Sequence, residues 1–241
     1  MTTLIRSYAL GLRTLRGTYG VAAALVALVA LTVGADLAAN AGNASYTTPG
    51  QLREPVVAGV GILAAVGLSL LAAARVGGEF RHRTITLRFL AGPRRTSILA
   101  AALITYGAFS LLVGAASLGV GIGIAQPIVA AEGLSLGLSA SLIGAVLLAV
   151  VLFTLIGVCA GAICRNQPAA VLVVAGAFVG EKLAGMAIGD AAAYLPYALL
   201  TPLLGMEGAT ISRGTAALTL AAVTGGLCTL AAYLVAHRDV T

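Results

Sequence analysis

Charge is what this chain most lacks: only 9% of its 241 residues are Asp, Glu, Lys or Arg, where a soluble globular domain carries about 25%. The 60% of hydrophobic residues bring more apolar surface than one small core can hide. Other scarcities exclude chemistry. Lys182 is the one lysine, and it follows no G-x-x-x-x-G-K-[ST] pattern, so the chain has no phosphate-cradling loop of its own. The two histidines, His82 and His237, form no H-E-x-x-H and no other pair at ligand spacing, and G-x-S-x-G is absent. The three cysteines, Cys159, Cys164 and Cys228, are an odd number without C-x-x-C spacing and lie in or at the ends of apolar stretches, as packing residues do. No catalytic, cofactor-binding or metal-ligating set is therefore expected, and the chain is read as a non-enzyme.

What is abundant is apolar length. Crossing the hydrocarbon of a bilayer takes about 20 apolar residues, and six windows approach or exceed that: 19–35, 55–74, 97–125, 137–164, 168–187 and 214–236. An all-α protein with six transmembrane helices is expected, one membrane domain over residues 1–241 with no obvious internal repeat. The 31 glycines suit such helices, in which small residues let backbones approach.

The excess of positive charge, +6, is explained by its placement. With the N-terminus in the cytoplasm, Arg6, Arg13, Arg16, Arg75, Arg81, Arg83, Arg88, Arg94, Arg95, Arg165 and Arg238 all fall on the inner side, and only Arg53 and Arg213 fall outside. That asymmetry follows the positive-inside rule. Asp36, Glu54, Glu132, Asp190 and Glu207 lie on the outer side. The basic balance thus reports topology, with both termini cytoplasmic in a plasma membrane, and nucleic acid is rejected as a partner. A cleaved signal peptide is disfavoured against a retained first helix. Asn43-Ala44-Ser45 matches the glycosylation sequon, a short and common pattern.

Three stretches outside the plain spans carry information. Over residues 1–17, Leu4, Ile5, Tyr8, Leu12 and Leu15 fall within an arc of about 100° on a helical wheel, with Arg6 and Arg13 on the opposite face. That pattern suits a helix lying in the membrane interface, anchored by Arg6, Arg13 and Arg16. Residues 188–213 are too apolar for a solvated loop, yet Pro196, Pro202 and several glycines interrupt any span. Short broken helices re-entering the outer leaflet are expected there. Finally, Glu181 and Lys182 are the charges lying well within an apolar window. They either line a substrate pathway or a permease–permease interface, or mark the end of a short span from which Lys182 reaches the surface.

The densest cationic stretch is "GGEFRHRTITLRFLAGPRRT", with five of the fourteen basic residues in twenty positions. On a wheel, Leu87, Leu90 and Ala91 group with Phe80, whereas Ile85 and Phe89 fall nearly opposite and Arg81 and Arg88 lie between. Two apolar faces result, one for the chain's own bundle and one for a partner. Ile85-Thr86-Leu87 also suits a strand. Arg75, Arg94 and Arg95, beside the spans, read as topology anchors.

This order of parts resembles the permease subunit of ABC-2 type transporters: an amphipathic N-terminal helix, two spans, the loop "GEFRHRTITLRFLAGPRRTSILAAAL", then four more spans. Glu79, Thr84, Pro93 and Arg94 match the family's coupling-loop pattern, with Arg83 where the family often has Gly. "LIGVCAGAICRNQPAAVLVV", residues 155–174, is similar to the family's junction between spans four and five. The resemblance implies a permease that pairs with a second copy or a related permease and with two separate ATP-binding subunits, which hold ATP and Mg. It makes 77–95 a coupling loop, with Glu79, Phe80, Arg81, Arg83, Thr84, Ile85, Leu87, Arg88 and Phe89 docking the ATPase. It implies export of a hydrophobic or amphipathic cargo: drug, lipid or peptide. The competing readings are an ion-gradient-driven carrier, which would show polar residues near mid-membrane in several spans, and a non-transporting scaffold or sensor.

Overall fold

The structure, a computed structural model, describes residues 2–14, 16–40, 49–81, 95–131, 133–206 and 208–237. The sequon at Asn43, the basic stretch from His82 to Arg94, Glu132, Glu207 and Arg238 lie outside the described residues, as do the side chains of Arg13, Arg16 and Asp190. Of the expected docking residues, the structure describes Glu79, Phe80 and Arg81.

Every regular element among the described residues is helical. Helix α1 covers Thr2–Thr14 and α2 Arg16–Asn40. Next, α3 (Pro49–Ala58) runs through a wide π turn at Gly59–Ala64 into α4 (Ala65–Arg81). Helix α5 is Arg95–Ala131, α6 Ala140–Cys164, α7 Gln167–Ile188, α8 the single turn Leu200–Leu203 and α9 Arg213–His237. Six stretches are long and apolar enough to cross a membrane: Gly17–Ala39, Leu52–Arg81, Arg95–Ala131, Ala140–Cys164, Gln167–Ile188 and Arg213–His237. By the length and composition of its helices the chain is a membrane protein.

Local chemistry explains where several helices begin and end. The fourth window starts later than its hydropathy suggests because Ser139 caps α6, its hydroxyl accepting from the Leu142 amide at 3.2 Å. Between α6 and α7 the turn is two residues long: Arg165 takes a left-handed conformation, and the Asn166 side chain accepts from the Ala169 amide at 3.4 Å. Pro168 then sits in the first turn of α7, where its missing N–H removes no helical hydrogen bond. In the second span, Pro55 withdraws one donor from the backbone ladder, and the π turn follows it.

Helix α6 is the centre of the bundle. It packs on α4, α5, α7 and α9, and Leu142, Val146, Val150, Phe153 and Val158 along it are buried. The closest approach is to α4. A Cβ at Gly157 would collide with the Ser69 carbonyl oxygen, and one at Gly161 would lie 3.0 Å from both the Ala73 carbonyl oxygen and the Gly77 amide. Gly157 and Gly161 are one small-x-x-x-small pair, the spacing that lets membrane helices touch backbone to backbone. Three buried hydroxyls within the spans turn back on their own helices: Thr105, Thr154 and Thr224 each donate to the carbonyl four residues earlier.

Helix α7 is the opposite case. Only Ala170 and Val174 of it are buried, while Leu172 is 70% and Met186 87% exposed. Between α7 and α9 the chain forms neither a span nor an open loop. A 3₁₀ segment, Gly189–Tyr194, leads into α8, and Leu199, Leu200, Leu203 and Leu204 are all buried in the main core. Irregular backbone among apolar side chains is held here by protein cover. Helix α1 lays Tyr8 and Leu12 of its apolar arc against α4 and α5, leaving Arg6 exposed. That part of the arc is covered by protein.

Candidate functional site

At the end of the bundle that carries α1, four parts of the chain converge. Helix α4 ends on Glu79, Phe80 and Arg81, the last described residues before the basic stretch. Glu79 and Phe80 are half-buried, and Arg81 is exposed. The Tyr8 hydroxyl of α1 donates to Glu79 Oε2 at 3.2 Å. The Phe80 ring turns into the bundle, near Tyr8, Ile98 and Val235, with the Arg165 guanidinium carbon 5.6 Å from its centroid. Arg165 also donates from Nη2 to the Leu234 carbonyl oxygen of α9 at 3.0 Å. The α6–α7 turn, the end of α4, α1 and the end of α9 are thus joined through four side chains, Tyr8, Glu79, Phe80 and Arg165.

Tyr8 and the Leu234 carbonyl were not among the expected site residues. Tyr8 was legible only as part of an apolar arc, and a backbone acceptor leaves no trace in composition. Arg165 was marked by position in the family resemblance and by topology, without a partner.

At the opposite end the two membrane charges separate. Glu181 Oε2 accepts from the Tyr197 amide at 2.7 Å and from the Ala198 amide at 3.3 Å. It lies on the same side of α7 as Ala170 and Val174, toward the protein. Tyr197 fixes the segment a second time, its hydroxyl donating to the Val174 carbonyl oxygen at 2.9 Å. Its ring packs between Phe153 at 4.8 Å and Phe178 at 5.1 Å between centroids. Burial, reinforced by the Glu181 carboxylate, pushes the Tyr197 phenol up to about 12, so it stays protonated and donates. Lys182 points elsewhere, exposed, at the edge of a cavity of about 300 Å³ shared with Thr201, Thr210 and Gly208. Neighbouring residues on a helix diverge by about 100°, which is why the pair does not act as one site.

The cysteines are all free, and two meet: Cys159 and Cys228 bring their sulfurs to 3.4 Å between α6 and α9. Among the described residues no group of three His, Cys, Asp or Glu side chains could hold a metal ion. Compared with known proteins, the chain matches no family model and no curated sequence.

Proposed function

We propose that the chain is the permease subunit of an ATP-driven exporter of the ABC-2 type, working as a dimer of permeases with two ATP-binding subunits. The observation that carries this reading is the junction at the end of α4. Glu79 and Phe80 lie just before the basic stretch 82–94 in the sequence, and those two residues are tied to α1 by Tyr8, to the α6–α7 turn by Arg165 and through Arg165 to α9. A force applied to the stretch by a partner reaches four elements at once, as a coupling loop requires for rigid-body motion of spans. A sequence without a phosphate loop needs such a partner, which would carry ATP and Mg.

In this reading the α1 end faces the cytoplasm, in line with its excess of arginine, and the protein resides in the plasma membrane. Helix α1 is an interfacial helix, and the segment 188–213 re-enters the outer leaflet. The uncovered α7 stripe, Leu172, Val179, Leu183 and Met186, repeats on one helical face and is assigned to the second permease copy. The cargo is hydrophobic or amphipathic, in keeping with spans built of Ala, Leu, Val and Gly.

Affinity purification of the tagged chain from native membranes in mild detergent tests the reading. An ATP-binding subunit should accompany it, and the complex should hydrolyse ATP in lipid nanodiscs. Transport by the isolated chain driven by an ion gradient would overturn the proposal in favour of a carrier. Purification with neither an ATPase nor transport would favour a scaffold.

A further inference from the structure

At the end of the bundle opposite α1, the cavity of about 300 Å³ beside Lys182 carries no role so far. Its walls come from separate parts of the chain. On α7, Lys182 and Gly189 lie seven residues apart, close to two helical turns, and so share a face. Gly189 takes a left-handed conformation and turns the chain away from α7 there. The returning segment brings Ala198, Thr201 and Pro202, and the approach to α9 brings residues 208–211. A Cβ at Gly189 or Gly208 would meet nothing within 4 Å, so the rim is open.

The lining divides by chemistry. Lys182, the one lysine of the chain, supplies a cation, and Thr201 and Thr210 supply two hydroxyls. Ala193, Ala198 and Pro202 supply apolar surface. Glu181, next to Lys182, is turned to the Tyr197 and Ala198 amides, and no carboxylate lines the cavity among the described residues. A few polar groups set in an apolar wall are what small-molecule sites use to fix a ligand's orientation. At about 300 Å³ the cavity is at the lower limit of such sites, about 300–1,000 Å³. That is room for a polar head and a short tail, and not for the two acyl chains of a phospholipid.

We propose that this cavity binds a single-tailed anionic amphiphile, its carboxylate or phosphate head on the Lys182 ammonium and the Thr201 and Thr210 hydroxyls, its tail against Ala193, Ala198 and Pro202. An anionic head gains a charge-assisted hydrogen bond from Lys182 that a neutral head forgoes, and a cationic head meets like charge. As a cargo site the cavity rests on the transport reading and narrows the cargo to amphiphiles of negative charge; as a binding site it does not depend on that reading.

Because Lys182 is the single lysine, an amine-reactive ester reports on this cavity through mass spectrometry of the peptide that carries it. The full chain in phosphatidylcholine nanodiscs would be labelled in the presence of octanoate, octanol or octyltrimethylammonium. Octanoate should slow acylation of Lys182 about tenfold, the order of one hydrogen bond to a charged group, and the other two should leave the rate unchanged. Thr201→Val with Thr210→Val should raise the octanoate concentration needed for half-protection. Ala209→Phe, which fills the cavity from an exposed lining position, should abolish protection. Equal protection by octanol would reduce the cavity to an apolar patch. Protection by octyltrimethylammonium would give it to cations, through Asp190 or Glu207, which adjoin lining glycines in the sequence. Protection that survives Ala209→Phe would place octanoate in the bilayer, and slow labelling without octanoate in phosphatidylglycerol nanodiscs would give the head to a membrane lipid. Any of these, or no protection at all, overturns the proposal. Should Ala209→Phe not fold, the wild-type chain and Lys182→Gln decide: octanoate must raise the thermal midpoint of the first saturably and not of the second. Protection in a chain that recruits no ATP-binding subunit would keep the site and remove only its assignment to cargo.

Discussion

The Tyr8 hydroxyl and the Glu79 carboxylate meet at 3.2 Å across 71 residues of sequence. The contact fastens α1 to the last turn of α4, since Glu79 lies two residues before that helix ends at Arg81. It also explains the single polar atom in an otherwise apolar arc: Tyr buries its ring among Ile98 and Leu99 and keeps one group for the carboxylate.

Removing only that hydroxyl is the sharpest test of the contact. Tyr8→Phe keeps the ring and should lower stability by about 1 kcal/mol, the net worth of a partly buried hydrogen bond. It should also speed proteolysis within α1. Cleavage kinetics of the purified protein report the second effect, and identical rates in variant and wild type would mean that α1 is held by apolar packing alone.

Glu181 gives a graded prediction. Ala at this position removes the one oxygen that accepts from both the Tyr197 and Ala198 amides, at a cost of about 1–3 kcal/mol. Gln keeps one acceptor oxygen and should fall between Ala and wild type. Lys182→Gln should change the midpoint by less than about 0.5 kcal/mol, since that side chain is exposed. Chemical denaturation in detergent ranks the three. A Lys182 variant as damaging as Glu181→Ala would contradict the separation of the two charges.

The α4–α6 crossing predicts a contrast between glycines. Gly157→Val pushes methyl groups into the Ser69 backbone, which has no rotamer to yield, so destabilisation should reach at least the ~1–3 kcal/mol of core overpacking. Gly176→Ala on α7 meets nothing within 4 Å and should be neutral or mildly stabilising, by helix propensity. Monodisperse yield and thermal midpoint distinguish them. A folded Gly157→Val protein with an unchanged midpoint would disprove the close crossing.

Two thiols offer a distance measurement inside the bundle. With Cys159 and Cys228 sulfurs at 3.4 Å, copper–phenanthroline in air should join them within one chain, copper passing the two electrons to dissolved oxygen while the two thiols give up two protons. Mass spectrometry would show the loss of two hydrogens and a peptide linking α6 to α9. Cross-linking of Cys164 to either partner in preference would mean that α9 packs in another register.

How far these features were legible follows from what each depends on. The six long helices were visible because hydropathy over 20 residues depends on the chain alone. Helix ends at Ser139 and Asn166 rest on contacts three residues away, so local chemistry suffices to explain them. A helical wheel, by contrast, shows that α1 has an apolar face and not what covers that face; at Tyr8 and Leu12 the cover is protein. Glu181 was singled out because a charge in an apolar window demands a partner. Its partners lie 16 and 17 residues on, behind a reversal of the chain that composition does not specify.

Phe80 and Ile85, grouped at first as two contacts for one partner, should now behave differently. Phe80 packs into the bundle beside Arg165, Ile98 and Val235, whereas on the wheel Ile85 falls on the other face of its stretch. Phe80→Asp forfeits ring burial and sets a second carboxylate next to Glu79, so its first effect should be on the fold. A loss of about 2–4 kcal/mol, somewhat below that of a fully buried Phe, is expected because Phe80 is half-buried. Ile85→Asp should leave the thermal midpoint unchanged while abolishing co-purification of the ATP-binding subunit. Measuring midpoint and subunit recovery on both variants separates a residue that supports the junction from one that touches the partner. If Ile85→Asp retained the subunit in full, the basic stretch would lose its assigned role, and the arginines there would be left with topology alone.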